Sequence, residues 1–400
     1  MVAADLPIGD RIRHYRGGRR QDAVAGLVGI APDYLSQIER GIKVPSLQIL
    51  YALAQELGVP AAALLSEQPP AEEKSADTAD AAVGRALLGY GPPRSSDPVR
   101  ADLLRDRVEA AWRSWQTDSD RFTRAAETLP ALVADLEHAA RTARAGSDPM
   151  ERRAVLRAAA DLYCLLRSYL RRIGRVDLAT LAADRAMRAA EDADDPLRIA
   201  AAQWNFGHVL LAAGQPAEAE ELALCAAEQV ATAQIPEDER TAMGGALQLV
   251  AVVGATRRQQ WWEARHRLTE HAAPAALKIA DSRNLCWTVF GPTNIALHAL
   301  SIDMEAGDTA EALHTADAID TSGLPSMERA FTFGLEVAAC HSRRRDDAAA
   351  LLALLPLKED APEDLARTPL AQQIIMTIIR RARAMHARQA EEMAVDLGIL

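Results

Sequence analysis

The sequence predicts an all-α protein in two unlike parts, a compact bundle of five short helices followed by a long helical solenoid. Three observations carry the prediction. Aromatic residues make up 4% of the 400 residues, while alanine, leucine and arginine are abundant and runs of Val, Ile and Thr are scarce. That balance suits helices rather than strands. Between positions 21 and 43 two short apolar-patterned segments meet at Gly29, and the second begins at Pro32, a residue preorganised for a first helical position. Further on, a glycine followed five residues later by an alanine recurs at Gly174/Ala179, Gly214/Ala219 and Gly307/Ala312, as expected of stacked helix pairs.

The first helix is expected over residues 8–16, with Ile8, Ile12 and Tyr15 at helical spacing. The second, over 21–28, points Val24, Leu27 and Val28 inward, and the third, over 32–40, buries Leu35 and Ile38. Gly29 stands where the chain turns sharply between these two, which favours a residue tolerant of positive φ. Ser46 caps a fourth helix that runs to Leu57 through Leu47, Leu50 and Leu53. Gly58 ends it, and Pro60 starts a short fifth helix closing on Leu64 and Leu65. This first part is assigned to residues 1–65.

Residues 66–97 read as a linker. The stretch 66–78 has almost no large apolar residue, a small helix is expected at 79–88, and Gly89-Tyr-Gly-Pro-Pro93 breaks the chain again. Residues 98–400 are helix after helix. Gly174 and Gly214 stand 40 residues apart, and degenerate copies of the turn sit at Gln260-Trp-Trp-Glu-Ala264 and Arg345-Asp-Asp-Ala-Ala-Ala350. Ala186 and Ala226 follow Ala179 and Ala219 by seven positions, and small residues at such places let antiparallel helices cross closely. The pattern resembles the tetratricopeptide repeat, stretched beyond its period of about 34 residues. It predicts a solenoid of about six helix pairs with a concave groove.

Charge divides along the same line. The net charge of −11 splits into +1 for residues 1–65, from seven basic and six acidic residues, and −12 for the rest. Arg11, Arg13, Arg16, Arg19 and Arg20 all fall within ten positions. An acidic solenoid is repelled by phosphate and the first part is not, so the two have different partners. The four cysteines, Cys164, Cys225, Cys286 and Cys340, stand far apart and read as buried free thiols of a reducing compartment. No apolar run is read as a membrane span and no signal-peptide core is read at the start, so a cytoplasmic protein is expected. The sequence offers no phosphate-binding glycine loop, no HExxH and no nucleophile elbow, and its nine histidines are dispersed. The expectation is therefore a protein that is no enzyme and holds no cofactor and no metal.

The first part resembles the Cro/CI-type, or XRE, helix-turn-helix family. The resemblance rests on Ile8-Gly9-Asp10-Arg11-Ile12-Arg13, Gln21, Gly29-Ile30, Tyr34-Leu35-Ser36-Gln37-Ile38-Glu39-Arg40-Gly41, Pro45-Ser46 and Leu53-Ala54. It implies that the third helix reads the major groove of double-stranded DNA. Pro32, Asp33, Tyr34, Ser36 and Gln37 would then face the bases. Gln37 suits adenine or guanine and Asp33 suits cytosine N4, although Asp33 equally suits the helix dipole. Gln21, Arg40 and Lys43 would hold phosphates. The segment Gly17-Gly18-Arg19-Arg20 is about two residues shorter than the family's usual turn, and Arg19 and Arg20 are added as phosphate contacts. Glu39 reads as a structural partner for an arginine of the first helix.

The second part resembles tetratricopeptide-type sensor domains joined to XRE modules in actinobacteria, most visibly at Phe290-Gly-Pro-Thr-Asn-Ile-Ala-Leu-His298. In similar peptide-sensing regulators an inner-wall asparagine bonds an extended peptide. The comparable residues are Trp204, Asn205, His208, Asn294, His298 and Glu336, where Asn205/His208 and Asn294/His298 each share a helix face. Ordinary polar residues satisfied between packed helices are the alternative for all six. Together the resemblances imply a homodimeric, sequence-specific transcriptional regulator with a peptide or small-molecule effector. The competing expectation is a scaffold whose solenoid grips a partner protein and whose helix-turn-helix serves assembly.

Overall fold

A computed structural model describes residues 8–43, 45–57, 59, 64, 76–89 and 98–400. They form helices and connecting turns, with no strand among the described residues. The chain divides into two compact units, Met1–Thr78 and Ala79–Leu400.

The first unit holds α1 (Ile8–Arg16), α2 (Gln21–Val28), α3 (Pro32–Glu39) and α4 (Leu47–Leu57). Ile12, Val24, Ala25, Leu35, Ile38, Leu50, Leu53, Ala54 and Leu64 form its core. Of the expected fifth helix only Leu64 falls among the described residues, and it is buried. Gly29 has φ +75°, and the Ile30 N–H reaches back to the Ala25 carbonyl at 2.9 Å to close α2. Gly9 lies hard against the end of α3, where an added Cβ would meet the Ile38 carbonyl oxygen at 2.2 Å. Ser46 caps α4 through the Ile49 N–H at 3.4 Å.

Leu27 departs from expectation, since it is 66% exposed and Ala25 takes the buried place. At about 100° per residue the face of α2 that includes Gln21, Val24, Ala25 and Val28 is continuous, and Leu27 falls beyond its edge.

In the second unit, α5 (Ala76–Leu87) spans the boundary and buries Val83 and Leu87 in the solenoid core. The Arg185 Nη1 donates to the Leu87 carbonyl at 2.5 Å. The helix expected within the linker thus packs as part of the second unit.

Seven antiparallel pairs follow among the described residues, one more than the spacing predicts. They are α6 (Ala101–Thr117) with α7 (Arg121–Ala145), α8 (Pro149–Arg172) with α9 (Val176–Asp192), and α10 (Pro196–Ala212) with α11 (Pro216–Thr232). Next comes α12 (Glu237–Arg257) with α13 (Trp261–Arg267), which continues through a π turn at Leu268–Ala272 into α14 (Ala273–Ala276). The rest are α15 (Pro292–Ala306) with α16 (Thr309–Ala316), and α17 (Met327–Arg343) with α18 (Asp347–Asp360). After α19 (Pro362–Arg367), α20 (Pro369–Arg381) pairs with α21 (Ala384–Asp396).

The repeated turn is a physical unit. Gly174, Gly214 and Gly307 have φ of +80°, +73° and +92°, and Gln259 and Arg345 adopt +60° and +62° at the degenerate copies. The alanine five residues after each turn, Ala179, Ala219, Ala264, Ala312 or Ala350, is fully buried. A left-handed residue reverses the chain, and a methyl-sized side chain then lets the second helix close on the first. Three successive clusters of buried residues share the core along the unit, as expected when each repeat packs mainly on its neighbours.

The wall also curls back on itself. Arg121 at the start of α7 forms a buried ion pair with Asp364 of α19, and the Phe122 N–H donates to Glu363 Oε2 at 2.7 Å. The loop before α15 closes another side. Trp287 stacks on Trp112 at 5.5 Å, and its carbonyl accepts from Gln116 Nε2 at 3.1 Å.

The Phe290–His298 segment is built for this corner. Phe290 packs where a Cβ on Gly245 would stand 2.0 Å from its ring, and Gly291 leaves room for Asp281. Asp281 in turn accepts from the Thr293 N–H at 3.0 Å.

Leu285–Ala306 has the length and apolarity of a membrane span, unlike the sequence reading, and it is half buried inside the unit. Its α-helical portion begins only at Pro292 and carries buried Asn294, His298 and Asp303, so it serves here as a core helix. Cys225 is exposed, whereas Cys164 and Cys340 are buried; all four cysteines are free.

Candidate nucleic-acid interface and solenoid cavity

In the first unit one carboxylate fastens three helices. Glu39, 4% exposed at the end of α3, accepts from Arg16 Nε at 2.6 Å, Arg16 Nη2 at 2.9 Å and Gln21 Nε2 at 2.6 Å. The expected arginine partner of Glu39 is thus Arg16. These bonds tie the end of α1 and the start of α2 to the last turn of α3, while Leu35 and Ile38 hold its inner face. Because the Gln21 amide donates to Glu39, the backbone N–H groups at the start of α2 are what it leaves for a phosphate.

The opposite face of α3 is open. Pro32, Asp33, Arg40 and Lys43 are exposed, and Tyr34, Ser36 and Gln37 are partly so. Gln37 Nε2 donates to Asp33 Oδ2 at 2.7 Å one turn away, so the two base-reading candidates are held as one pair. Arg40 Nε donates to the Ser36 carbonyl at 3.2 Å, and Lys43 Nζ stands 5.3 Å from the centre of the Tyr34 ring. In the turn before α2 both arginines have partners. Arg19 donates to the Glu56 carbonyl at 2.8 Å and pairs with its carboxylate, and Arg20 pairs with Asp22 at 2.6 Å. A rod fixed from behind, with an acceptor–donor pair in front and cations at its end, fits a major groove.

The inner wall of the second unit encloses a cavity of about 430 Å³ lined by Arg171, Arg172, His208, His298, Glu328, Arg329 and Glu336 among others. A narrower lobe walled by Trp112, Trp115, Trp204 and Trp287 shares Arg171, His208, Glu328 and Arg329 with it. Four of the six effector candidates therefore line cavity space: Trp204, His208, His298 and Glu336. Asn205 does not. It accepts from Arg167 Nε at 2.7 Å and donates to the Ala201 carbonyl at 2.8 Å, fixing an arginine of the narrow lobe. Asn294 is 1% exposed and stands outside both linings, its amide without a hydrogen-bond partner.

Burial controls the charge states. It pushes the imidazole of His298 down to about 3 and that of His208 well below its usual range, with nearby arginines adding to both. It lifts the Glu336 carboxyl to about 7, against the Ser301 hydroxyl, which donates to Oε1 at 2.7 Å. Glu328 is held well below the usual carboxylate range by Arg172, Arg121 and Arg171, which outweigh its desolvation.

Sequence reasoning missed Arg167, Arg171, Arg172 and Arg329. A signal existed, because Arg167 and Arg171 stand four residues apart on one helix face and Arg167 directly follows the apolar run Leu162-Tyr-Cys-Leu-Leu166. Arginines near a helix C-terminus also complement its dipole, and only the curled wall distinguishes the two roles.

Residues 12–64 match the family model for a helix-turn-helix, and they carry that domain. No curated protein sequence matches the chain. Among solved structures it is similar to the crystal structure of Bacillus thuringiensis PlcR in complex with the peptide PapR7 and DNA. Identity is 10% and the TM-score 0.31, over 85% of this chain and 98% of that one.

Proposed function

We propose that the protein is a sequence-specific DNA-binding transcriptional regulator whose helical solenoid senses an effector. The observation that carries this reading is the open face of α3, presented by a helix-turn-helix domain and fixed from behind by the Arg16–Glu39–Gln21 clamp. Asp33 and Gln37 read bases; Arg40, Lys43, Arg19, Arg20 and the start of α2 at Gln21 hold the backbone. Pro32, Tyr34 and Ser36 complete the contact surface.

With a net charge of +1 over residues 1–65, one copy grips phosphate weakly, so the working form is a homodimer. Its two recognition helices read half-sites about 34 Å apart. An effector in the solenoid cavity acts by binding two arrangements of the DNA-reading heads unequally. The task is binding rather than catalysis, performed in the cytoplasm where the DNA is.

Selected-site enrichment with the purified protein tests the reading. A defined motif is expected, with Gln37→Ala relaxing one base position at a loss of about 1–3 kcal/mol and Arg40→Ala weakening all sequences alike. Enrichment that returns no motif overturns it.

A further inference from the structure

The inner wall of the second unit carries more positive charge than its own carboxyls compensate. Arg121, Arg167, Arg171, Arg172 and Arg329 gather there, opposite Glu328, Asp364 and Glu336. Arg121 is paired with Asp364. Glu328 is shared: it accepts from Arg172 Nε at 3.1 Å and Arg171 Nη2 at 3.3 Å, and it lies 3.6 Å from Arg121 Nη1. Arg257 and Glu305 lie 3.7 Å apart at the cavity edge and offset each other.

What remains is only partly matched. Arg167 is 3% exposed, and its hydrogen-bond acceptor is the neutral amide oxygen of Asn205. Arg329 donates no hydrogen bond within the described residues. Arg171 Nε and the Nε2 of His298, which is 6% exposed, are buried without a partner. Desolvation draws Arg171 down to about 9 and Arg167 to about 10. Glu336 offers only part of a negative charge near neutral pH. A buried cation opposite a neutral amide is costly unless an anion joins it, and guanidinium groups match carboxylate and phosphate geometry.

We propose that the junction of the two lobes, between Arg167, Arg171 and Arg329, is a binding site for the anionic group of the effector, a carboxylate or phosphate, with Glu328 as its internal competitor. The site opens on one side to the tryptophan-walled lobe and on the other to the larger cavity beside His298 and Ser301. The inference deepens the sensing role proposed above. Its test contains no DNA, so failure of the anion site and failure of DNA recognition give separate results.

The 400-residue chain is titrated with sodium phosphate, with succinate, and with an acetylated tetrapeptide bearing either a free or an amidated C-terminus. Ionic strength is held constant with chloride, and tryptophan fluorescence and thermal unfolding are followed. A saturable response to phosphate or succinate is expected if a free small acid is the source. A response to the free-carboxyl peptide and not to its amide assigns the anion to a peptide terminus; either supports the site. Arg329→Met weakens the response about tenfold. Glu328→Gln, by removing the competitor, strengthens it about tenfold and lets the anion recover thermal stability, a gain that misfolding does not imitate. No saturable response to any of the four probes at millimolar concentration overturns the proposal, as does a response unchanged in both variants.

Discussion

Replacing Glu39 by alanine removes three charge-assisted hydrogen bonds at once, two from Arg16 and one from Gln21. Each such bond contributes about 1.5–3 kcal/mol in a buried setting, but the Arg16 side chain is 13% exposed and regains part of its hydration. The net loss expected is about 2–4 kcal/mol. A unit of this size is stable by only about 4–12 kcal/mol, so roughly a sixth of its stability or more goes.

All six tryptophans, from Trp112 to Trp287, belong to the second unit, which makes the assay self-controlled. In urea unfolding the loss should appear in the early transition seen by circular dichroism and in amide exchange of α1–α3. The tryptophan fluorescence transition should not move. Glu39→Gln keeps an acceptor and should lose about half as much, and the pair Arg16→Met with Glu39→Leu should stay within about 1 kcal/mol of wild type. The reasoning is refuted if Glu39→Ala loses less than about 0.5 kcal/mol, or if the tryptophan transition shifts with it.

Gly9→Ala should destabilise the same unit by about 1–3 kcal/mol, because its Cβ would meet the backbone oxygens of Ile38 and Glu39 at 2.2 and 2.9 Å; the same unfolding experiment measures it. Gln259→Gly and Arg345→Gly should each raise the second unit's melting temperature by roughly 1–3 °C, since both exposed residues hold positive φ. Scanning calorimetry checks that rise. Glu336 should give the second unit a pH dependence. Its carboxyl, lifted to about 7 from 4.5 by burial, faces Arg329, Glu305, His298 and the Ser301 hydroxyl. A raised carboxyl contributes stability that is present at low pH and lost as pH rises through about 7. Its depressed histidine neighbours, His208 and His298, act oppositely and lose stability as pH falls below about 6.5. The difference in stability between wild type and Glu336→Gln, measured from pH 5 to 8, should therefore isolate a loss of about 1–3 kcal/mol with rising pH.

The sequence by itself determined what depends on neighbours along the chain. Helix starts and stops at Ser46, Gly29 and Pro32 and the recurring turn with its buried alanine follow from φ/ψ preferences, capping and spacing, whereas the arginine partner of Glu39 was expected alongside the family resemblance. Degeneracy did not hide the turn, because Gln259 and Arg345 accept the left-handed backbone that glycine takes more easily. The outward face of α3 was legible for the same reason: fixing Leu35 and Ile38 inward fixes Asp33 and Gln37 outward. Only tertiary structure decided what depends on which distant surfaces meet. Leu27 left the core because the face of α2 is chosen by α3 and α4. Asn205 became a prop rather than a contact because Arg167 lies one helix pair away. The arginine-lined cavity exists because Asp364 and Glu363 of α19 meet the start of α7 across some 240 residues of chain, and no local rule specifies such a closure or the charge it encloses.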